Sequence, residues 1–243
     1  MGKLYVVGIG PGDYENMTVR ADRALQICDI IVGYPVYVEL VKERYPDKVF
    51  LTTPMTREVQ RCRMALEEAE KGQSVAMVCS GDSGIYGMAA LIYELRGERE
   101  TPEIEVIPGL TAACSGGALL GAPLTHDFAV ISLSDRLTPW EKIEKRLESA
   151  ARGDLSIVLY NPMSKGRPEN LRMACDILLR YLPADRPCGV ARNIGRAGEE
   201  RMLLPLGQLR DTEVDMFSTV FIGNEMTKTI SGNLVTLRGY RDV

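Results

Sequence analysis

The sequence predicts an α/β protein made of two α/β domains with mixed sheets and a ligand cleft between them. Three observations predict this class. Short β-rich runs alternate with longer helical patterns through the first half of the chain, and a new series of strands and helices begins in the second half. Glycine-rich loops follow several of the predicted strands, which is where open α/β sheets bind their ligands.

The first half contains five β-rich runs, at Lys3–Val7, Ile30–Val32, Val49–Leu51, Val75–Cys79 and Ile104–Ile107. Helical patterns lie between them. One example is Arg57–Lys71, whose apolar residues recur at helical spacing and which Gly72 ends. This alternation implies right-handed crossovers and a parallel sheet with helices on both faces. We predict a first domain over residues 1–115.

The second half begins with two predicted buried strands, Phe128–Leu133 and Ser156–Tyr160, which helices follow at about residues 139–150 and 168–182. Beyond Gly189 the pattern shortens into strand-like pieces near Arg201–Pro205, Thr219–Ile222 and Leu234–Leu237. These pieces indicate antiparallel strands added to an α/β sheet. We predict a second domain over residues 125–243. Residues 116–124, which are rich in glycine and proline, are predicted as the linker.

The composition is ordinary for a soluble globular protein, with 45% hydrophobic and 26% charged residues in a chain of 243. The formal net charge of −4 argues against a general nucleic-acid binder, although a local basic cleft for a small anion is compatible with it. No apolar run approaches the roughly 20 residues that a membrane span needs. The chain opens on a strand pattern rather than a signal peptide. We therefore predict a cytoplasmic protein without a membrane partner.

The cysteines are scattered along the chain, and none forms the close C-x-x-C pairs of zinc or redox sites. Four of them lie in apolar or helical contexts, where cysteine behaves as a small hydrophobic residue. We predict neither a metal site nor a disulfide among Cys28, Cys62, Cys79, Cys114, Cys175 and Cys188.

The first glycine-rich loop, Gly8-Ile9-Gly10-Pro11-Gly12-Asp13, resembles a dinucleotide fingerprint that it does not complete. Asp13 stands where G-x-G-x-x-G requires its third glycine, and Pro11 removes a backbone donor that a phosphate would use. Two interpretations remain open. The loop is either a ligand loop that does not bind NAD, or a plain tight turn between a strand and a helix.

Two further loops also follow predicted strands. In Ser80-Gly81-Asp82-Ser83-Gly84-Ile85-Tyr86-Gly87, the Asp82 carboxylate either points into the ligand crevice or caps a helix that starts just beyond it. In Ile107-Pro108-Gly109-Leu110-Thr111-Ala112-Ala113, a Pro-Gly turn precedes a helix that continues to Leu120. Thr111 is either a ligand contact or only the cap of that helix.

In this order, the three loops resemble those of the tetrapyrrole (class III) methyltransferases, and the likeness spans the whole chain. Five downstream segments resemble the precorrin-3B / cobalt-factor III C(17)-methyltransferase branch of cobalamin biosynthesis. They are Gly33-Tyr34-x-x-Tyr37, 126–135, Tyr160-Asn161-Pro162-x-Ser164-Lys165-x-Arg167, Arg192-Asn193-x-Gly195-Arg196 and 218–224. Ser83 stands where the family usually has proline, so we expect a looser turn after Asp82.

The resemblance implies S-adenosyl-L-methionine as cofactor, a precorrin or cobalt-precorrin as substrate, and a homodimer. It assigns the cofactor to Pro11, Ser80, Gly81, Asp82, Ile85, Tyr86, Thr111 and Ala112 of the first domain, with Asn161 and Ala191 of the second. It assigns the macrocycle to Gly10, Gly12, Asp13 and Tyr34. Because the macrocycle carries several carboxylates, we add the cations Lys165, Arg167, Arg192 and Arg196, each of which has a solvated surface charge as its alternative.

The implied chemistry is methylation of C(17) with contraction of the ring. Methyl transfer requires alignment, with the reacting atoms about 3–3.5 Å apart, more than it requires a strong base. Contraction needs a proton acceptor, for which His126, the only histidine, is the first candidate, with Asp82 and Asp13 as competitors. The alternative for His126 is a hydrogen bond that fixes the linker.

Other functions fit the same sequence. Within the fold, a methyltransferase could act at another corrin carbon, on uroporphyrinogen, on ribosomal RNA or on a modified histidine of a translation factor. From other classes, the alternatives are a nucleotide-binding oxidoreductase, which Asp13 weakens, and a non-catalytic ligand sensor. The sequence leaves open whether the substrate carries cobalt.

Overall fold

The structure is a computed structural model that describes residues 2–164 and 166–241. The α/β class is confirmed. The chain forms two compact units, Met1–Ala112 and Ala113–Val243. Among the described residues, none of the helices is long and apolar enough to cross a membrane.

The first unit contains a five-stranded sheet in the order β3-β2-β4-β1-β5, and every neighbouring pair is parallel. Each predicted strand is observed within one residue of its predicted bounds. The elements are β1 (Lys3–Gly8), α1 (Val19–Ile27), β2 (Ile30–Gly33), α2 (Pro35–Lys42), β3 (Val49–Thr52), α3 (Glu58–Glu70), β4 (Ser74–Cys79), α4 (Ala89–Arg96) and β5 (Glu103–Ile107).

Both faces of this sheet are covered by helices, as the alternating pattern predicts. Along β1, Tyr5 and Val7 pack with residues of α1 and α2, whereas Leu4 and Val6 pack with residues of α3 and α4. Successive side chains of a strand point to opposite faces, so a strand buried on both sides is apolar at every position. The strand ends are therefore the part of the sheet that remains available to a ligand.

The linker predicted over residues 116–124 is not observed. Helix α5 (Ala112–Leu120) and the short strand β6 (Gly121–Ala122) occupy most of residues 116–124, and the division between the units lies earlier, after Ala112. The small residues serve packing: a Cβ added at Gly116 would lie 3.0 Å from the ring of Phe221. The glycines that resemble a linker in the sequence are present because α5 packs closely against the sheet that contains Phe221.

The second unit contains a five-stranded sheet in the order β10-β9-β11-β8-β7 and a three-stranded sheet in the order β12-β13-β6. The predicted mixture of parallel and antiparallel strands is observed. Its elements after β6 are β7 (Phe128–Ser132), α6 (Trp140–Arg152), β8 (Ser156–Tyr160), α7 (Asn170–Leu178), β9 (Pro187–Arg192), β10 (Glu200–Pro205), α8 (Leu206–Leu209), β11 (Ser218–Ile222), β12 (Thr227–Ile230) and β13 (Asn233–Thr236).

The strand directions in this unit bring three carboxyl ends to one edge. Strand β7 is parallel to β8, and β11 is antiparallel to both β8 and β9. Strands β7, β8 and β9 therefore run in the same direction, so residues that follow them lie at one edge of the sheet.

Candidate active site

Two of the glycine-rich loops in the first unit are joined directly through their backbones. Strands β1 and β4 are neighbours, and Gly8 pairs with Cys79 at their ends. Just beyond, the Gly10 amide donates to the Gly81 carbonyl at 3.1 Å, and the Gly81 amide donates to the Gly10 carbonyl at 2.7 Å. Gly81 has φ +70°, a conformation that residues with a Cβ adopt at a cost.

The third loop joins the other two through close approach at Gly109. A Cβ at this position would lie 2.1 Å from the Gly81 carbonyl oxygen and 2.6 Å from the Gly8 carbonyl carbon. On the other side of the same turn, a Cβ at Gly81 would lie 3.7 Å from the Thr111 Cα and 3.9 Å from the Ala112 nitrogen. The three loops that the sequence singles out therefore meet at the carboxyl edge of β4, β1 and β5.

The Asp82 carboxylate links the second loop to the third. Its Oδ1 accepts hydrogen bonds from the amides of Gly84 at 2.7 Å and Ile85 at 3.0 Å, and its Oδ2 accepts one from the Gly109 amide at 2.9 Å. Both oxygens are thus used within the loops rather than directed at a ligand. The helix-cap interpretation is also wrong, because α4 begins only at Ala89, with Met88 as its N-cap.

Ser83 fixes the same turn from its other side. The side chain is fully buried, and its hydroxyl donates to the Ile107 carbonyl at 2.9 Å. The looser turn expected from the absence of proline is not observed, because this hydrogen bond ties the turn to the end of β5.

Beyond this turn the second loop presents two apolar side chains to the surface. Ile85 is 42% exposed and Tyr86 is 52% exposed. Tyr86 also has φ +54°, which is rare for a bulky residue and is found where surrounding structure imposes it, often at functional sites. An exposed apolar surface beside main-chain donors and acceptors suits a ligand with a flat apolar part and polar ends.

The remaining candidates of the first unit lie along the same edge. Gly10 and Pro11 are buried, whereas Gly12 and Asp13 are partly exposed. The Asp13 carboxylate accepts hydrogen bonds from the Asn16 backbone amide at 2.7 Å and from its side-chain amide at 2.8 Å, so it stabilises its own turn. Tyr34 directly follows β2.

In the second unit, Asn161 and Tyr160 lie at the end of β8. Asn161 has φ +53°, and its side-chain amide donates to the Ser132 hydroxyl at 3.0 Å, at the end of the neighbouring β7. The Tyr160 hydroxyl accepts a hydrogen bond from the Ala113 amide at 2.6 Å, which satisfies a donor of the first turn of α5. Ala191, the penultimate residue of β9, is fully buried.

The predicted substrate cations are in different situations. Arg192 is held by two carboxylates: its Nη2 lies 2.6 Å from Asp215 and its Nη1 lies 3.1 Å from Glu200. Hydrogen bonding to Asp215 raises the pKa of Arg192 further. The expected role of Arg192 in gripping the substrate therefore competes with these two ion pairs.

The other two described cations, Arg167 and Arg196, contact different groups. Arg167 donates from Nε to the Ser164 hydroxyl at 3.1 Å and bonds Ser134, while Asp135 lies 3.6 Å away. The Arg196 guanidinium lies 5.6 Å from the centre of the Phe217 ring. Lys165, the fourth predicted cation, lies outside the described residues.

His126 is an exposed residue just before β7. Within the described part of the chain, no hydrogen bond to its ring is observed, so the structure does not support the alternative in which His126 fixes a linker. An exposed imidazole can exchange its proton with a ligand or with water.

The cysteines form no common site. Across residues 2–164 and 166–241, histidine, cysteine, aspartate and glutamate side chains do not form a group of three that could hold a metal ion. Cys114 is exposed, and the other cysteines are buried. Burial raises the pKa of the Cys79 thiol to about 11 and that of Cys62 to about 12, so both remain protonated at neutral pH.

One charged residue at this edge, Arg61, is not among the residues predicted from the sequence. It is only 5% exposed and belongs to the buried face of α3 with Cys62 and Ala65. The signal was available, because Arg61 occupies a position of the apolar helical stripe where a residue with a charged side chain is rare.

Comparison of the sequence with known proteins identifies the family to which this architecture belongs. Residues 3–210 match the family described as Tetrapyrrole (Corrin/Porphyrin) Methylases. The chain belongs to this family. This membership supports the methyltransferase interpretation over the oxidoreductase and ligand-sensor alternatives.

Individual relatives of this methylase cover nearly all of it. The "Probable cobalt-factor III C(17)-methyltransferase" of Salmonella typhimurium is 47% identical, over 98% of this chain and 99% of the relative. The "Precorrin-3B C(17)-methyltransferase" of Sinorhizobium sp is 40% identical, over 94% and 91%. Among solved structures, the methyltransferase CobJ superposes with a TM-score of 0.90 at 35% identity, over 98% of this chain and all of that one.

Proposed function

We propose that this methylase transfers a methyl group to C(17) of a corrin precursor and contracts its ring. The observation that carries the proposal is the end-to-end similarity, at 47% identity, to a protein named "Probable cobalt-factor III C(17)-methyltransferase". The three joined loops of the first unit support it, because they form the kind of main-chain surface that a small polar cofactor requires.

The loops fit S-adenosyl-L-methionine as cofactor. Gly81 connects all three loops, because its backbone bonds Gly10 of the first loop and a Cβ there would contact Thr111 and Ala112 of the third. The residues in contact with the cofactor would be Pro11, Ser80, Gly81, Asp82, Ile85, Tyr86, Thr111 and Ala112, with Asn161 and Ala191 from the second unit. When bound, the cofactor supplies an electrophilic methyl group on a sulfonium.

The contribution of the protein to methyl transfer is orientation. The Asp82 carboxylate and the Ser83 hydroxyl hold the loops to each other and to β5, so the groups that contact a ligand need little reorganisation on binding. The loop containing Gly10, Gly12 and Asp13, together with Tyr34, would contact the macrocycle. Arg167, Arg196 and Lys165 would contact its carboxylates, and Arg192, which already pairs with Asp215 and Glu200, would contribute less.

For ring contraction we propose His126 as the proton acceptor. Asp82 and Asp13 are less suitable, because both carboxylates already accept hydrogen bonds from loop amides. The test is His126→Ala, with the neighbouring exposed Asp127→Ala as control. We expect the histidine variant to methylate without contracting at the normal rate, and the control to do both. Normal rates of both steps in His126→Ala would assign the proton transfer to another group.

The decisive experiment is incubation with S-adenosyl-L-methionine and either cobalt-factor III or precorrin-3B. Mass spectrometry reports the added methyl group, and the absorbance spectrum reports contraction. The higher identity to the cobalt-factor III relative leads us to propose the cobalt-containing substrate. Methylation without contraction, or at another carbon, would assign a different reaction of this family. No turnover of either substrate would contradict the proposal.

We also propose that the methylase acts as a homodimer in the cytoplasm. Light scattering on the purified protein measures the first property, and a mass near the 26.9 kDa of one chain would contradict it.

A further inference from the structure

A positive charge lies within the otherwise apolar face of α3. Arg61 is only 5% exposed, and the residues buried on the same face are Cys62, Ala65, Leu66 and Ala69. One nitrogen, Nη2, donates to the backbone carbonyls of Thr53 at 3.2 Å and Pro54 at 3.1 Å. The Nε–H is buried and has no hydrogen-bond partner among the described residues.

This guanidinium also lacks a neutralising partner in the described part of the chain. No carboxylate oxygen lies within ion-pair distance of it there, whereas the more exposed Arg192 has two such partners. Burying a charge is costly unless the charge is paired and its hydrogen bonds are satisfied. The two carbonyls offset only part of that cost, so the free protein keeps an unpaired cation.

Arg61 lies at the same carboxyl edge of the first sheet as the three glycine-rich loops. Thr53 directly follows β3, and Tyr34 directly follows β2, the strand between β3 and β4. The guanidinium carbon lies 5.7 Å from the centre of the Tyr34 ring. Tyr34 is partly exposed, so a ligand can approach the guanidinium on this side.

We infer that Arg61, together with Tyr34, receives one carboxylate of the tetrapyrrole substrate. The inference rests on the proposed function and adds a specificity-determining residue to it. A carboxylate supplies the negative charge that Arg61 lacks, and it can accept a charge-assisted hydrogen bond from a guanidinium nitrogen that the two carbonyls leave unused. Tyr34, whose ring already contacts the guanidinium, can contribute a hydroxyl to the same carboxylate.

The test compares Arg61→Gln with Arg63→Gln, which removes the same charge from an exposed position of the same helix. With cobalt-factor III, we expect Arg61→Gln to raise KM about tenfold or more and to change kcat less than threefold. The affinity for S-adenosylhomocysteine should be unchanged, and Arg63→Gln should behave as the wild type in all three measurements. Unchanged KM in Arg61→Gln would overturn the inference.

Salt dependence separates a carboxylate receptor from a purely structural residue. If Arg61 pairs with the substrate, KM of the wild type rises with ionic strength more steeply than KM of Arg61→Gln. Equal slopes, or a parallel loss of substrate and S-adenosylhomocysteine affinity, would assign Arg61 a structural role only. If Arg61→Gln does not fold, Arg61→Lys and Tyr34→Phe provide the test, and each should raise KM by a smaller factor.

Binding of uroporphyrin III, which carries eight carboxylates, keeps this test independent of the reaction. Its visible absorbance reports binding without turnover. A wild type that binds uroporphyrin III at least tenfold tighter than Arg61→Gln supports the inference even if cobalt-factor III is not methylated. Equal affinities would contradict it, whatever the outcome for the proposed function.

Discussion

The Asp82 carboxylate is the contact whose removal tests the site most directly. An Asn at this position keeps the shape of the side chain but offers one oxygen in place of two. That oxygen can serve either the amides of Gly84 and Ile85 or the amide of Gly109, not both groups. The Asp82→Asn variant must therefore lose at least the 2.9 Å bond to Gly109 and place a donor against a donor.

The magnitude follows from the type of bond lost. A hydrogen bond to a charged group contributes about 1.5–3 kcal/mol, and the lower part of this range applies because Asp82 is partly exposed. A loss of about 2 kcal/mol corresponds to a decrease of up to about 30-fold in cofactor affinity, at about 1.4 kcal/mol per tenfold. At about 2–4 °C per kcal/mol for a chain of this size, Tm should fall by about 4–8 °C.

Calorimetric titration with S-adenosylhomocysteine and a thermal denaturation curve measure the two effects. Asp13→Asn is the matched control, because its remaining oxygen still accepts from the Asn16 amide within one loop. We expect the control to stay within about twofold of the wild-type affinity. If Asp82→Asn keeps wild-type affinity and Tm but loses ring contraction, then Asp82 is the proton acceptor and the linking role argued from its three hydrogen bonds is refuted.

Three other substitutions probe the framework. Gly109→Ala should lower the free energy of unfolding by about 3 kcal/mol, the upper range for overpacking, because its Cβ meets backbone atoms. Gly166→Ala, which has open space around it, should not lower the free energy of unfolding. Equal Tm values for the two variants would contradict this argument. Ser83→Ala leaves a buried carbonyl without its donor and should cost about 1–3 kcal/mol in urea unfolding, so an unchanged midpoint would refute it. Burial disfavours the charge of Asp22, but the hydrogen bonds from Tyr45 and Tyr14 and the positive charge of Arg44 together outweigh it and lower the pKa of Asp22. The ionised form therefore stabilises the fold above about pH 3.9, and this contribution disappears as the pH falls. The difference in unfolding free energy between the wild type and Asp22→Asn should therefore be constant near neutrality and shrink below about pH 4, and a pH-independent difference would contradict the argument.

The first unit could be predicted well because its signals are local. A strand buried on both faces is a continuous apolar run, and the glycines after β1, β4 and β5 mark the places where the loops that follow these strands approach one another closely. Parallel neighbours then bring the three loops to one edge without further information. The local sequence does not show which amides will donate to a given carboxylate. The role of Asp82 could therefore be determined only from the structure.

The second unit was harder to predict for the same reason. Strand β9 contains a proline, a cysteine and a glycine in six residues, so no alternation marks it. Strand β6 is two residues long and exists only because it pairs with β13, more than a hundred positions later. The glycines of α5 resemble a flexible segment although they serve close packing on Phe221. Long-range pairing and packing decided these elements.

The main-chain connection of the three loops has a consequence for engineering. Gly10, Gly81 and Gly109 hold the loops together through their main chains, whereas the side chain of Ile85 is exposed. Position 85 can therefore be randomised while the framework stays intact. A library built there is a practical route to variants that accept synthetic sulfonium donors with larger alkyl groups.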